Sequence, residues 1–420
     1  MFFTNRHRLS LTGTLNILGI LGLLAGCAST VQPELAGVSQ RVGSPCSDGI
    51  TTISGNFAGA AFARCEVLES GHFRLTITPE DAQVNNCSPW YAFEASTSQS
   101  LQVAIDLNYS SCGHRYRPKL RVGGADWQLL PADKLSLDFS KGKTNEGGKP
   151  VADAVLRLTL PAGRTQIAAQ PLLLPEDNAA WLDQIAKSPA VSRGTLGKSR
   201  EGRPIEWINL LEPGVVPARQ VVLLGRQHPP ETTGGIALQA FTERLLEDDQ
   251  IARTYRSRYS TRVVPLLNPD GVVHGNWRHN MGQTDLNRDW GPFLQPETQL
   301  MRDLLANIAA SPDQRLRLFL DFHSTHYDTI YTLTEAQITD PAGFTGKWIA
   351  ATQALIAEKK IRVEPGHKGD RPTAKTWVYE KYKVPTATYE IGDTTSYEVI
   401  RRHARAAAEA MMNTLAESDQ

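Results

Sequence analysis

The chain has 420 residues, 41% of them apolar, enough to bury a large core and to build two domains. Its 44 basic and 44 acidic residues balance, which leaves no electrostatic footprint for a nucleic-acid partner. Past the N-terminus no apolar run is long enough to cross a bilayer as a helix.

In chain order, Arg6, His7 and Arg8 form a basic start, and residues 9–24 supply an apolar stretch of secretory-signal length. The stretch closes on Leu24-Ala25-Gly26-Cys27, which resembles the bacterial lipobox; an ordinary signal peptide that contains a cysteine is the alternative. The resemblance implies that residues 1–26 are a lipoprotein signal peptide and that Cys27 becomes a lipidated first residue. The chain would then be anchored to a membrane through Cys27 and face the periplasm. Ala28 in place of an aspartate points, by analogy, to the outer membrane of a Gram-negative bacterium. Residues 27–45, polar with Pro, Gly and Ser, read as a tether. After Cys27 the cysteines are Cys46, Cys65, Cys87 and Cys112, an even set in one region. An oxidising periplasm favours two disulfides among them, with three pairings open. Four buried thiols are the alternative for an unexported chain.

Residues 46–170 show short alternating runs at 73–77, 101–105 and 155–160 between Gly, Asn and Pro clusters. Period-two patterning of this kind predicts a small antiparallel β-sandwich. Residues 141–149, rich in glycine and charge, read as an exposed loop. The character changes near Pro171. Pro175-Glu176-Asp177 opens a helical pattern over 175–185, with acidic residues where a helix N-terminus favours them. Beyond it, strand-like runs at 221–224, 262–267, 316–322 and 386–391 alternate with helical patterns at 235–247, 295–310, 345–359 and 397–416. Residues 171–420 therefore read as an α/β layered domain with a mixed or mostly parallel sheet. Ligands in such sheets gather at the C-terminal ends of strands.

The residues that carry chemistry fall at those ends. His228 and Glu231 follow the first strand, and His323 closes the apolar run 316–322 about 90 residues later. Two histidines and a glutamate with an open fourth position form the ligand set of catalytic zinc, which acidifies a bound water and polarises a carbonyl. Read alone, His-x-x-Glu also fits a capped turn, and His326 competes with His323 as third ligand. Glu390 ends the apolar strand 386–391, where burial is costly unless the carboxylate is paired or poised to act. It suits a general base that takes a proton from water and delivers it to a leaving amine; a salt bridge to a nearby arginine is the alternative. Asn268-Pro269-Asp270-Gly271 is a turn sequence. Arg278 and Arg288 can clamp a carboxylate or stabilise an oxyanion, or can sit in surface ion pairs.

Taken together, His228-x-x-Glu231, Asn-Pro-Asp-Gly, Arg278, Asn287-Arg288, His323 and Glu390 resemble the zinc carboxypeptidase family of carboxypeptidase A. The resemblance is nearest to the cytosolic-carboxypeptidase branch and its bacterial relatives, where Gly-Arg-x-His-Pro-x-Glu and Asp-Leu-Asn-Arg recur. It implies one zinc ion held by His228, Glu231 and His323, with Arg278 polarising the carbonyl. Asn287 and Arg288 would grip the substrate's terminal carboxylate, Glu390 would be base and acid, and Ser324 would line the cleft. Upstream, Trp90-Tyr91-Ala92-Phe93 is similar to the aromatic motif of the β-sandwich that precedes the catalytic domain in this branch. Two departures stand out. The cleft tyrosine of the family has no counterpart in residues 365–372, and Tyr379 and Tyr382 do not match its spacing. Lys375 falls near the base of the terminal side-chain pocket, where a cation suits an acidic residue; an exposed lysine is the alternative.

The sequence thus predicts a zinc-dependent metallocarboxypeptidase that hydrolyses the C-terminal peptide or isopeptide bond of a peptide substrate. The alternatives are a murein peptide amidase or carboxypeptidase acting on cell-wall peptides, and a catalytically weak, carboxylate-binding pseudoenzyme. Oligomeric state is not encoded in any feature of the sequence.

Overall fold

The computed structural model describes residues 41–419 apart from 84–85, 146–147, 217 and 357–359. Cys27 and the expected leader of residues 1–26 lie outside the described residues. Of the expected tether, Arg41 and Val42 are already packed: Arg41 Nη1 donates to Gly275 O at 2.6 Å, and Val42 bridges Phe62.

Two sheets form the first layer pair. In the six-stranded sheet the order is Cys46–Ser47, Thr51–Ser54, Ala92–Thr97, Gly163–Ala168, Lys119–Val122 and Gln128–Leu129, antiparallel throughout. The five-stranded sheet runs Arg64–Glu69, His72–Ile77, Leu101–Tyr109, Asp153–Leu160 and Leu135–Asp138. One pair in it, His72–Ile77 with Leu101–Tyr109, is parallel, an exception to the antiparallel sandwich expected. Alternation explains the packing: Val103, Ile105, Leu107 and Tyr109 all point inward from one strand. They meet Ile53, Phe93 and Ile167 of the other sheet in one apolar core. The Trp90-Tyr91-Ala92-Phe93 motif is buried there, Trp90 Nε1 donating to Gly59 O at 3.1 Å. The disulfides are Cys46–Cys65 and Cys87–Cys112.

The second part comprises, in order, α1 (Pro175–Ile185), β1 (Val191–Lys198), β2 (Pro204–Leu210), β3 (Arg219–Gly225), α2 (Thr232–Leu245), α3 (Gln250–Arg256), β4 (Tyr259–Val264) and α4 (Pro269–Val273). It continues with α5 (Pro296–Ala310), β5 (Arg315–Thr325), β6 (Thr329–Thr332), α6 (Phe344–Leu355), β7 (Val363–Pro365), α7 (Ala374–Tyr382), β8 (Thr386–Gly392) and α8 (Tyr397–Ser418). The eight strands form one mixed sheet in the order β1-β2-β4-β3-β5-β8-β6-β7. Its centre, β4-β3-β5-β8, is parallel. Both faces are covered, so the central strands are continuous apolar runs rather than alternating ones. Val221, Leu223, Leu320 and Phe322 pack with Phe241 of α2 and Met411 of α8. Val222, Leu224 and Phe319 pack on the other face with Met301 and Leu305 of α5 and Val378 of α7.

After β3 the chain turns to β4 on one side and then to β5 on the other. A crevice opens between the C-terminal ends of β3 and β5, as expected where strand order reverses. The sandwich closes one side of it: Arg115 pairs with Asp393 at 2.9 Å, and Trp277 Nε1 donates to Tyr116 Oη at 3.0 Å. Sandwich and mixed sheet belong to one compact unit. Asn-Pro-Asp-Gly, read as a turn, instead starts α4: Asn268 Oδ1 caps Gly271 N at 3.0 Å, and Pro269 sits in the first turn. Among the described residues no helix is long and apolar enough to cross a membrane.

Candidate active site

Three ends of secondary structure converge on the crevice. Leaving β3, Arg226 takes a left-handed backbone, φ 54°, which is uncommon for a residue with a side chain. Its buried guanidinium donates to Pro229 O at 3.1 and 2.6 Å and to Leu173 O at 3.2 Å, so it pins the turn that presents His228. Glu231 is the N-cap of α2, where the helix dipole favours a carboxylate. Its carboxylate does not cap the helix; it faces the crevice. His323 arrives from β5, level with Glu390 on β8 in the parallel register. The N-terminus of α2 lies hard against His323: a Cβ on Gly234 would come within 2.4 Å of His323 O. Thr233 Oγ1 and Gly234 N both bond Ser324 Oγ, at 2.7 and 2.9 Å.

The result is a His–Glu–His cluster whose ligand atoms all lie within 4.8 Å of one another. His228 Nδ1 is 2.8 Å from Glu231 Oε1, and His323 Nδ1 is 2.7 Å from Glu231 Oε2. The far nitrogens are held by acids: His228 Nε2 by Asp285 at 2.9 Å, and His323 Nε2 by Asp321 at 2.7 Å. A carboxylate on Nε2 sets the tautomer that leaves Nδ1 as a lone-pair donor, the arrangement usual for metal-bound imidazole. Gln227 buttresses Asp321 at 2.8 Å and is itself held by Trp290 Nε1 at 2.9 Å. Burial opposes the charge on His323, but Asp321 and Glu231 outweigh it and raise its pKa well above the usual value. Burial likewise works to raise Glu231 and Asp285, yet His228, with His323 beside the first and Arg278 beside the second, holds both well below the usual range. The ligand set is electrostatically prepared to stay anionic at Glu231. These residues fit one zinc ion, which takes two imidazoles and a carboxylate and keeps a fourth position open. His326 is exposed and outside the cluster, so the competition for third ligand falls to His323.

The cluster opens into a cavity of about 150 Å³ lined by all the residues read from sequence as catalytic, substrate-gripping or cleft-lining: Arg278, Asn287, Arg288, Ser324, Lys375 and Glu390. Glu390 Oε2 is buried without a hydrogen-bond partner. Burial foremost, opposed by His323 and helped by Glu231, pushes its carboxyl up to about 7. Arg278 Nε and Nη2 both bond Asp285 Oδ2, at 2.8 and 2.6 Å, so one carboxylate ties this arginine to His228. Asn287 Nδ2 stands 3.4 Å from His323 Nε2, and its Oδ1 accepts from Ala374 N at 2.9 Å, joining the ligand to α7. Arg288 Nη1 bonds Asn287 O at 2.7 Å. Lys375, buried rather than exposed, reaches Thr332 O at 3.3 Å, and burial lowers it to about 8.

Several lining residues escaped the sequence reading. Arg115 and Tyr116 come from the sandwich, where nothing in their local pattern marks them. Asp321 could have been found: a carboxylate inside Leu318-Phe319-Leu320-Asp321-Phe322 has to have a buried partner. Tyr331, stacked on His367 at 3.8 Å, also lines the cavity, whereas Tyr379 and Tyr382 do not.

A three-layer fold with a His–Glu–His cluster and a carboxylate with an unpartnered buried oxygen at its strand ends defines a metal-dependent hydrolase. The sequence profile described as zinc carboxypeptidase matches residues 179–413, more than half of the chain, and the chain belongs to that family. Relatives include mouse (Mus musculus) cytosolic carboxypeptidase 6, 29% identical over 139 residues, or 31% of this chain and 26% of that protein. Human (Homo sapiens) cytosolic carboxypeptidase 2 is 28% identical over 271 residues, 60% of this chain and 28% of that one. The matches span about a quarter of these curated relatives. Among solved structures, the metallo-carboxypeptidase from Burkholderia cenocepacia superposes with a TM-score of 0.70 at 20% identity, covering 87% of this chain and 99% of that chain. The metallo-carboxypeptidase from Pseudomonas aeruginosa gives 0.66 at 18% identity, covering 87% and 99%. These likenesses establish a shared fold over sandwich and catalytic layers together.

Proposed function

We propose that the protein is a zinc-dependent metallocarboxypeptidase that removes the C-terminal residue of a peptide, through a peptide or isopeptide bond. The observation that carries this reading is that Glu390, in the same cavity as the His228–Glu231–His323 cluster, has a buried Oε2 with no hydrogen-bond partner among the described residues. A pure binding protein has no use for a buried charge without a partner. Zinc, when bound, supplies Lewis-acid polarisation of the scissile carbonyl and acidifies water. Glu390 takes the proton from the attacking water and passes it to the leaving amine. Arg278, oriented by Asp285, donates to the oxygen on which negative charge develops. Asn287 and Arg288 hold the terminal carboxylate and so orient the bond to be cut. Lys375, at the α7 side of the cavity, receives an acidic terminal side chain.

The chain's organisation, on the same reading, is a leader of residues 1–26, a lipid anchor at Cys27, a tether, a sandwich from residue 46 to about 170 and a catalytic domain from 171 to 420. The lipobox-like string and the two disulfides support a periplasmic home on the outer membrane. That compartment also favours a second substrate class, cell-wall peptides. Incubating the zinc-loaded protein with a C-terminal residue library and with isolated muropeptides, read by mass spectrometry, tests both. Loss of one terminal residue from ordinary peptides is the expected outcome; cleavage confined to muropeptides would transfer the activity to the cell wall.

A further inference from the structure

Arg278 has two sets of restraints, and only one lies in the catalytic domain. Its guanidinium is tied to Asp285, but its backbone is held from across the cleft by the sandwich. Glu80, in the segment after the strand His72–Ile77, has a side chain only 2% exposed, and its Oε1 accepts from both Arg278 N at 2.7 Å and His279 N at 3.1 Å. The neighbouring Asp81 Oδ2 is 2.8 Å from His279 Nδ1. Asn86 Nδ2 bonds Asp81 Oδ1 at 3.1 Å, and Cys87–Cys112 fixes the end of that segment. At the start of the gripped loop, Arg41 holds Gly275 O at 2.6 Å. Gly275 itself has φ +64°, and a Cβ there would strike Ala60 O at 2.5 Å. The loop 275–279 is thus clamped from one side by Glu80, Asp81 and the Ala60 backbone of the sandwich, with Arg41, just ahead of the sandwich, donating to Gly275 O.

A buried carboxylate that accepts two consecutive backbone N–H groups makes strong, charge-assisted bonds, and nothing else in the loop satisfies those donors. Placing an arginine to within a few tenths of an ångström matters when it acts on charge that appears only in the transition state. We infer that Glu80, seconded by Asp81, is a positioning residue for Arg278, and that the sandwich is a working wall of the catalytic site rather than an appended module. The inference rests on the carboxypeptidase reading and on the role given there to Arg278.

The test is a double-mutant cycle on a peptide that the wild-type protein cleaves, with zinc content and thermal midpoint recorded for each protein. Glu80→Ala should lower kcat about ten- to hundredfold with KM within about twofold and zinc retained. Glu80→Gln, which keeps an acceptor oxygen, should recover most of that loss. In an Arg278→Ala background, Glu80→Ala should cost no more than about twofold further, because the group it positions is gone. Full kcat in Glu80→Ala, or losses that multiply in the double variant, would overturn the inference. If Glu80→Ala does not fold, Asp81→Asn enters the same cycle, with a several-fold loss expected that disappears without Arg278; a multiplicative loss there overturns it equally. Wild-type turnover in Arg278→Ala would instead remove the assigned role of Arg278, a distinct failure.

Discussion

Glu390, half-buried in the cleft, and Asp285, buried behind His228 and Arg278, are carboxylates whose surroundings drive them in opposite directions. Asp285 sits between His228 and Arg278 and stays ionised, while Glu390 has no partner for one oxygen and is pushed up to about 7. On the proposed reading the first orients and the second exchanges a proton. Lys375 presents the same logic with a cation: buried and, among the described residues, bonded to the Thr332 backbone carbonyl, it has charge to offer a ligand. Lys375→Ala should therefore lower kcat/KM for acidic C-terminal residues about tenfold relative to apolar ones, measured on paired peptides. An unchanged ranking of acidic, basic and apolar termini would dismiss the pocket assignment. At this scale the sequence was legible where chemistry requires a residue type at a strand end, as for His228, Glu231, His323 and Glu390. It was silent where a residue reaches the cleft from another layer, as Arg115 does, because only the tertiary fold brings it there.

The elements that place the ligands were readable when they were long and apolar. The runs at 221–224, 316–322 and 386–391 became β3, β5 and β8, and the pattern at 397–416 became α8. The edge strand β1, its neighbour β2 and the short β6 and β7 were missed, since half-buried or brief strands carry little periodic signal. The strand read at 262–267 ends at Val264 because Pro265 cannot donate to the ladder. Helix α2 illustrates how an element serves the site: its N-cap is Glu231, and its first turn packs Gly234 against the backbone of His323. Gly234→Ala forces a methyl to 2.4 Å from that carbonyl, so either α2 or the end of β5 must shift. The expected outcome is a loss of roughly 1–3 kcal/mol in stability and, because the ligands separate, at least about tenfold in zinc affinity measured by chelator competition. Wild-type zinc affinity in that variant would show that the helix does not set the ligand spacing.

Across the whole molecule, the sandwich and the mixed sheet act as one body, and the sandwich brings its own titratable liability. His114 is half-buried beside Tyr91 and Tyr109, its Nε2 buried and its Nδ1 2.9 Å from Tyr109 Oη. Burial, opposed by a backbone bond near Tyr116, lowers it from 6.5 to about 4. A depressed folded-state pKa means that stability is complete above about 6.5 and is lost as pH falls through about 4, by on the order of 3 kcal/mol. His114→Gln should flatten that part of the pH profile of the denaturation midpoint; an unchanged profile would place the acid sensitivity elsewhere. The change of periodicity near residue 170, from two to a helix–strand alternation, coincides with the passage from the two packed sheets to the mixed sheet, which together form one compact unit. The joint between the layers was not visible in sequence, because Arg115–Asp393 and Trp277–Tyr116 pair residues more than 150 positions apart. The central claim is a zinc site served by Glu390 as base and acid. Zinc stoichiometry and turnover of a C-terminal residue library, compared between wild type and Glu390→Gln, test it most directly. One zinc per chain in both proteins, with kcat falling by about 10²–10⁴ in the variant, is the predicted result; equal turnover in Glu390→Gln would contradict it.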